Sequence, residues 1–125
     1  MKTLTIFAVL MLTCLASATI IHVPADQSTI QAGIDAAANG DTVLVAEGTY
    51  VENINYNGKT ITVASHYAID QDSLHIVNTV IDGSSATNPD SASTVSFVSG
   101  EDTTSVLMGL TITGGSGTLW EGPRE

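Results

Sequence analysis

The sequence predicts an all-β chain: a right-handed parallel β-helix, or solenoid, with a short N-terminal capping helix. Three observations carry this reading. One amphipathic helical pattern opens the segment from Ser28, and strand-like runs fill nearly everything after it. Runs such as Thr42-Val43-Leu44-Val45-Ala46 are continuous rather than alternating, as strands buried in a parallel sheet are. The runs also recur. Val45, Val63 and Ile81 fall about 18 residues apart, and Phe97 and Ile112 continue at slightly shorter steps, a period that points to stacked repeats. An antiparallel sandwich is the competing architecture. It would need tight two-residue turns to set its register, and these are missing. It also offers no place for the opening helix.

Taken in order, Ile20-Ile21-His22-Val23 reads as a short strand ended by Pro24. Ser28 is the expected N-cap of the helix. Ile30, Ile34 and Ala37 share one helical face, and Asn39-Gly40 ends it with residues that tolerate a left-handed backbone. Asp41 turns the chain into the strand 42–46. Glu47-Gly48-Thr49-Tyr50 is the next turn, and Val51 to Tyr56 a second strand-like piece. Asn57-Gly58-Lys59 turns again, and 60–65 repeats the β-branched pattern. A longer loop is expected over 66–77. Strands follow at 78–83, 94–98 and 106–113, with polar, turn-rich segments between them.

The N-terminus has the form of a secretory signal. Lys2 supplies the positive region, Leu4 to Leu15 is almost unbroken apolar sequence, and Ala16-Ser17-Ala18 is a small-residue cleavage motif. Cleavage between Ala18 and Thr19 is expected, leaving residues 19–125 as the mature chain. The apolar run is shorter than the roughly 20 residues that span a bilayer, so no membrane span is expected after cleavage. Cys14 as a lipoprotein attachment site is the alternative, but Thr13 stands where a Gly or Ala belongs. Loss of Cys14 with the leader leaves no cysteine, so the core must stabilise the exported domain without disulfides.

All 13 acidic residues lie after Ala18, against only Lys59 and Arg124 as positive side chains there. Such a surface repels nucleic acid and anionic lipid, and it suits polyanions poorly. The acids are scattered through loops, as solubility requires.

Several phrases together resemble the N-terminal rungs of secreted right-handed β-helix proteins of the pectin-lyase-like superfamily: TIQAGIDAA (29–37), GDTVLVAEGTYVENI (40–54), GKTITVAS (58–65), TVIDG (79–83) and LTITGG (110–115). The resemblance covers nearly the whole mature chain. It implies the fold but no reaction, because the same phrases occur in large bacterial surface proteins that carry many more rungs. It therefore implies that 19–125 is the N-terminal part of a longer β-helix domain, continuous with further rungs. The polar ending Trp120 to Glu125, neither strand nor cap, fits that expectation.

Chemistry is sparse. Gly48-Thr49-Tyr50-Val51-Glu52 resembles the G-x-Y-x-E element of pectin methylesterases, whose catalytic residues would come on later rungs; nothing here matches them. The simpler expectation is that Gly48 bends the chain, Tyr50 packs over the strand, and Glu52 faces solvent or caps a turn. Lys59, in an exposed turn, lacks the cleft a general base needs and is expected to be solvated. Paired carboxylates of the polygalacturonase kind are absent. Asp70 with Asp72, and Glu101 with Asp102, are the candidate calcium ligands. Calcium takes six to eight oxygens, however, so a hydrated acidic loop is the plainer reading. His22, His66 and His75 lack metal-ligand spacing. Tyr50, Tyr56, Tyr67 and Trp120 offer faces for sugar stacking. The weak carbohydrate-binding set is Tyr50, Glu52, Tyr56 and Trp120. Asn53, Asn55 and Asn57 alternate, and at least one is expected to satisfy turn carbonyls inside the coil.

No catalytic constellation is present. The expected role is that of an exported or surface scaffold that displays loops for adhesion or glycan binding, with a polysaccharide or cell-surface glycan as partner. An N-terminal piece of a carbohydrate-active enzyme, with its catalytic residues beyond 125, is the alternative. A spacer without ligand is the third reading.

Overall fold

The computed structural model describes residues 17–117. Most of the predicted leader, with Cys14, and the segment containing Trp120 lie outside the described residues.

Nine strands and three short helices make up the described chain. Strands β1 (Ile20–Val23), β2 (Thr42–Val45), β5 (Thr62–Ser65) and β8 (Val106–Met108) form a four-stranded sheet in that order. Strands β3 (Gly48–Val51), β6 (Thr79–Asp82) and β9 (Thr111–Thr113) form a second sheet, and β4 (Ile54–Asn55) with β7 (Val95–Ser96) a third. Every pairing is parallel. From β2 onward the chain visits the first, second and third sheets in turn, then returns to the first and repeats.

Burial of the parallel strands on both faces explains the non-alternating runs. Val43, Leu44 and Val45 of β2 are all buried, as are Val63, Ala64 and Ser65 of β5. Stacking is in register: Val43 lies beside Val63, which lies beside Leu107. Ile81 lies between Tyr50 and Ile112. Ile30 and Ile34 of α1 (Ile30–Ala36) join Val23, Val43, Val45 and Ile54 in one continuous core. Each such side chain, fully withdrawn from water, is worth about 1.5–3 kcal/mol, the source of stability a disulfide-free domain requires.

Several sequence expectations are corrected. Val45, Val63 and Ile81 do not form one column, because Ile81 belongs to the second sheet and Val45 stacks on Ser65. The stacking step is not constant either: Thr42 stacks on Thr62, but Thr62 stacks on Val106, more than twice as far along the chain. The strand runs 51–56 and 106–113 are each broken at a corner. At the second break Gly109 has φ +71°, and a Cβ there would come within 2.8 Å of Tyr67 Cβ. Only Val95–Ser96 of the 94–98 run pairs. The helix is capped by Thr29, not Ser28. Thr29 is extended and its hydroxyl accepts from the Ala32 N–H at 3.1 Å. The helix also stops before Asn39-Gly40, with Ala37 already extended. The expected loop at 66–77 instead folds into α2 (Tyr67–Asp70) and α3 (Leu74–Asn78).

Candidate functional site

Three corners carry the chain from the four-stranded to the three-stranded sheet. The first is Ala46-Glu47 and the last is Gly109-Leu110. Between them, residues 66–78 make an excursion containing α2 and α3. The corners before and after it are tight, and loops fixed on a rigid frame are where binding residues concentrate.

Side chains pin the excursion to the first corner and to strand β9. His75 Nδ1 lies 2.7 Å from Glu47 Oε1, and Nε2 lies 3.0 Å from Asp70 Oδ2. Ionised carboxylates only accept, so the pair of contacts suits the protonated ring, which donates from both nitrogens. The hydrogen bond to Asp70 raises the His75 pKa above its ordinary value; partial burial opposes this, and the bond to Glu47 adds to it. Asp70 is held below the usual carboxylate range, first by the Asp72 N–H and then by His75. The His66 ring lies 5.7 Å from that of His75. On the other side, Thr111 Oγ1 donates to Ile76 O at 2.7 Å. The excursion also holds three exposed aliphatics, Ile69, Leu74 and Val77, each about two-thirds accessible to water (65%, 62% and 67%). Aliphatic side chains this open are the kind a partner covers.

The residues singled out from the sequence are scattered. Tyr56 is completely buried, its ring 4.3 Å from that of Phe97 and its hydroxyl donating to Val106 O at 2.7 Å. Burial pushes its phenol pKa upward. Tyr50 is half-buried and donates to Ala46 O at 2.9 Å. Glu52 faces the helix: Oε2 accepts from Ile30 N at 2.9 Å and Oε1 from Gln31 N at 3.0 Å. Trp120 lies outside the described residues. Ala18 and Thr19 are exposed, and the Thr19 N–H donates to Asp41 Oδ1 at 2.9 Å.

Asp70 and Asp72 are neighbours in the excursion, but their oxygens are turned to local bonds. Asp70 Oδ1 accepts from Asp72 N, and Asp72 Oδ1 from Leu74 N, both at 2.9 Å. Glu101 likewise accepts from Gly58 N and Ser99 N. Among the described residues no group of three or more His, Cys, Asp or Glu is placed to hold a metal ion. No helix among them is long and apolar enough to cross a membrane. An open cleft of about 500 Å³ lies against Thr94, Val95, Ile112, Gly114 and Gly115 and contains no titratable side chain.

Two roles differ from the sequence expectation. Lys59 is not simply solvated: Nζ donates to Ile34 O, Asp35 O and Ala37 O at 2.7, 2.8 and 2.8 Å, closing the C-terminal end of α1. Among the carboxylates, Glu52 rather than a local Asp or Glu serves the N-terminal end. The available signal was the helix itself, which has neither an acid in its first turn nor a base in its last. Asn53 meets the expectation for turn carbonyls, donating to Gly83 O and Ser93 O at 3.1 Å each. The link of His75 to Glu47 and Asp70 had no sequence signal, because one partner is 28 positions away.

Comparison with family models, with curated proteins and with solved structures returns no match.

Proposed function

We propose that this chain is a non-catalytic segment of an exported or surface protein, a right-handed parallel β-helix of the pectin-lyase-like kind that displays a loop for adhesion or glycan binding. The observation that carries this reading is the 66–78 excursion, set between two tight corners and pinned to the first corner and to β9. Support for the coil comes from the repeated passage through three parallel sheets in constant order. The excursion combines groups suited to sugar hydroxyls, His66 and Asp70 with Glu47 of the first corner beside them, with the exposed aliphatics Ile69, Leu74 and Val77.

The test is binding of the full chain to a glycan array and to intact cell surfaces, against an Ile69→Ser/Leu74→Ser/Val77→Ser variant. Binding by the parent and its loss in a variant with an unchanged melting temperature supports the reading. No binding by the parent on either surface leaves a spacer and overturns it.

A further inference from the structure

Thr19 is fixed to the fold at both backbone groups. Its N–H donates to Asp41 Oδ1 at 2.9 Å, and its carbonyl accepts from Thr42 N at 2.9 Å. Strand β1 begins at the next residue. The receiving carboxylate is built into the molecule: Asp41 is only 7% exposed, and its Oδ2 accepts from Ala38 N at 2.8 Å just past the end of α1. A buried carboxylate normally requires a charged partner or several donors. Lys59, whose field reaches it, is already committed to helix carbonyls.

The cleavage motif Ala16-Ser17-Ala18 ends at this same residue. We infer that Asp41 is the receptor for a new N-terminus, and that removal of residues 1–18 converts the Thr19–Asp41 hydrogen bond into an ion pair. This rests on the reading of the chain as exported. The step is hydrolysis by a signal peptidase. One water adds across the Ala18–Thr19 bond, Ala18 keeps the new carboxylate, and the Thr19 nitrogen takes up protons to become an ammonium. That ammonium stands where the amide N–H stood. The bond, charged until then only on its carboxylate side, becomes charged on both sides. The amide N–H already makes the bond before cleavage; cleavage puts a full positive charge on the donor at the join between β1 and the end of α1.

The Asp41 carboxyl already lies below the usual range because the Thr19 and Ala38 N–H groups point at it, against the opposing effect of burial. Pairing must in turn raise the α-amine above its ordinary value of about 7.7–8.0. The groups that face this amine are Asp41 and, through it, Lys59.

The experiment expresses the full chain with its leader in an exporting bacterium and recovers the exported product. Its mass reads the N-terminus, and the pH dependence of amine acylation, mapped by peptide, reads the α-amine separately from Lys59. The expected product begins at Thr19, with an α-amine pKa above the ordinary value that drops back in Asp41→Asn. A product that keeps the leader or begins elsewhere overturns both the export reading and the inference. A product that begins at Thr19 with an ordinary α-amine leaves export standing and overturns the pairing. The parent titration decides this point even where Asp41→Asn does not fold.

Discussion

Helix α1 has seven residues, too few to be stable alone, so its neighbours must hold it. All of its early N–H groups have partners. Ile30 N and Gln31 N donate to Glu52, Ala32 N to the Thr29 hydroxyl, and Gly33 N to Thr29 O. At the other end Lys59 takes three carbonyls. The negative group therefore sits at the positive end of the helix dipole and the positive group at the negative end. Replacing Glu52 with Ala removes two charge-assisted bonds and leaves the N–H of the fully buried Ile30 without its acceptor. Loss of a cap costs about 0.5–2 kcal/mol and loss of the dipole interaction about 0.3–1 kcal/mol. Glu52→Ala should therefore destabilise the chain by about 2–3 kcal/mol, toward the upper end because a buried donor is stranded. At about 4–8 °C per kcal/mol in a domain of this size, the melting temperature should fall by roughly 10–20 °C. Glu52→Gln keeps one acceptor oxygen and should lose about half as much, in line with a single cap. Urea and thermal melts followed by circular dichroism measure both. Lys59→Met should combine with Glu52→Ala less than additively, since both grips act on one helix. A loss below about 0.5 kcal/mol in Glu52→Ala, the level of an ordinary surface change, would refute the clamp.

Two further outcomes are expected. Ile34→Asp places an unpaired charge at a completely buried position in the same core as Val43 and Val63, so the variant should lose more than about 3 kcal/mol or fail to fold; a parent-like melting temperature would remove α1 from the core. His75 has a raised pKa, so its contribution to holding the 66–78 excursion is complete below its unfolded value of about 6.5 and disappears as pH rises through the higher folded value. Amide exchange corrected for intrinsic rates should show protection at 67–78 falling across that window while β2 and β5 stay protected, and an excursion insensitive to pH would contradict the imidazolium bridge.

The parts of the fold legible in the sequence are those encoded locally. The helix position, its buried Ile30 and Ile34, and the continuous β-branched runs of β2 and β5 all follow from side-chain periodicity. The 18-residue step failed because strands were aligned by composition. Val45 and Ile81 are equally apolar, yet they face the core from different sheets, and only pairing distinguishes them. The excursion was misread as loop because α2 and α3 are one-turn helices, too short to show a period.

For the candidate site, the sequence supplied residue types without their partners. Glu52 and Tyr56 looked alike as surface candidates, two polar-tipped side chains near a turn. Tertiary structure sends one to a helix terminus and the other into the core beside Phe97. Lys59, Asp41 and His75 likewise acquire their roles from groups 22 to 28 positions away in the chain. By itself the sequence determined where the main extended segments and helix α1 lie, and that acidic side chains far outnumber basic ones. Tertiary structure alone decided which strands stack and which charges meet, because in a parallel arrangement every ladder bond joins residues distant in sequence, and no local pattern records that distance.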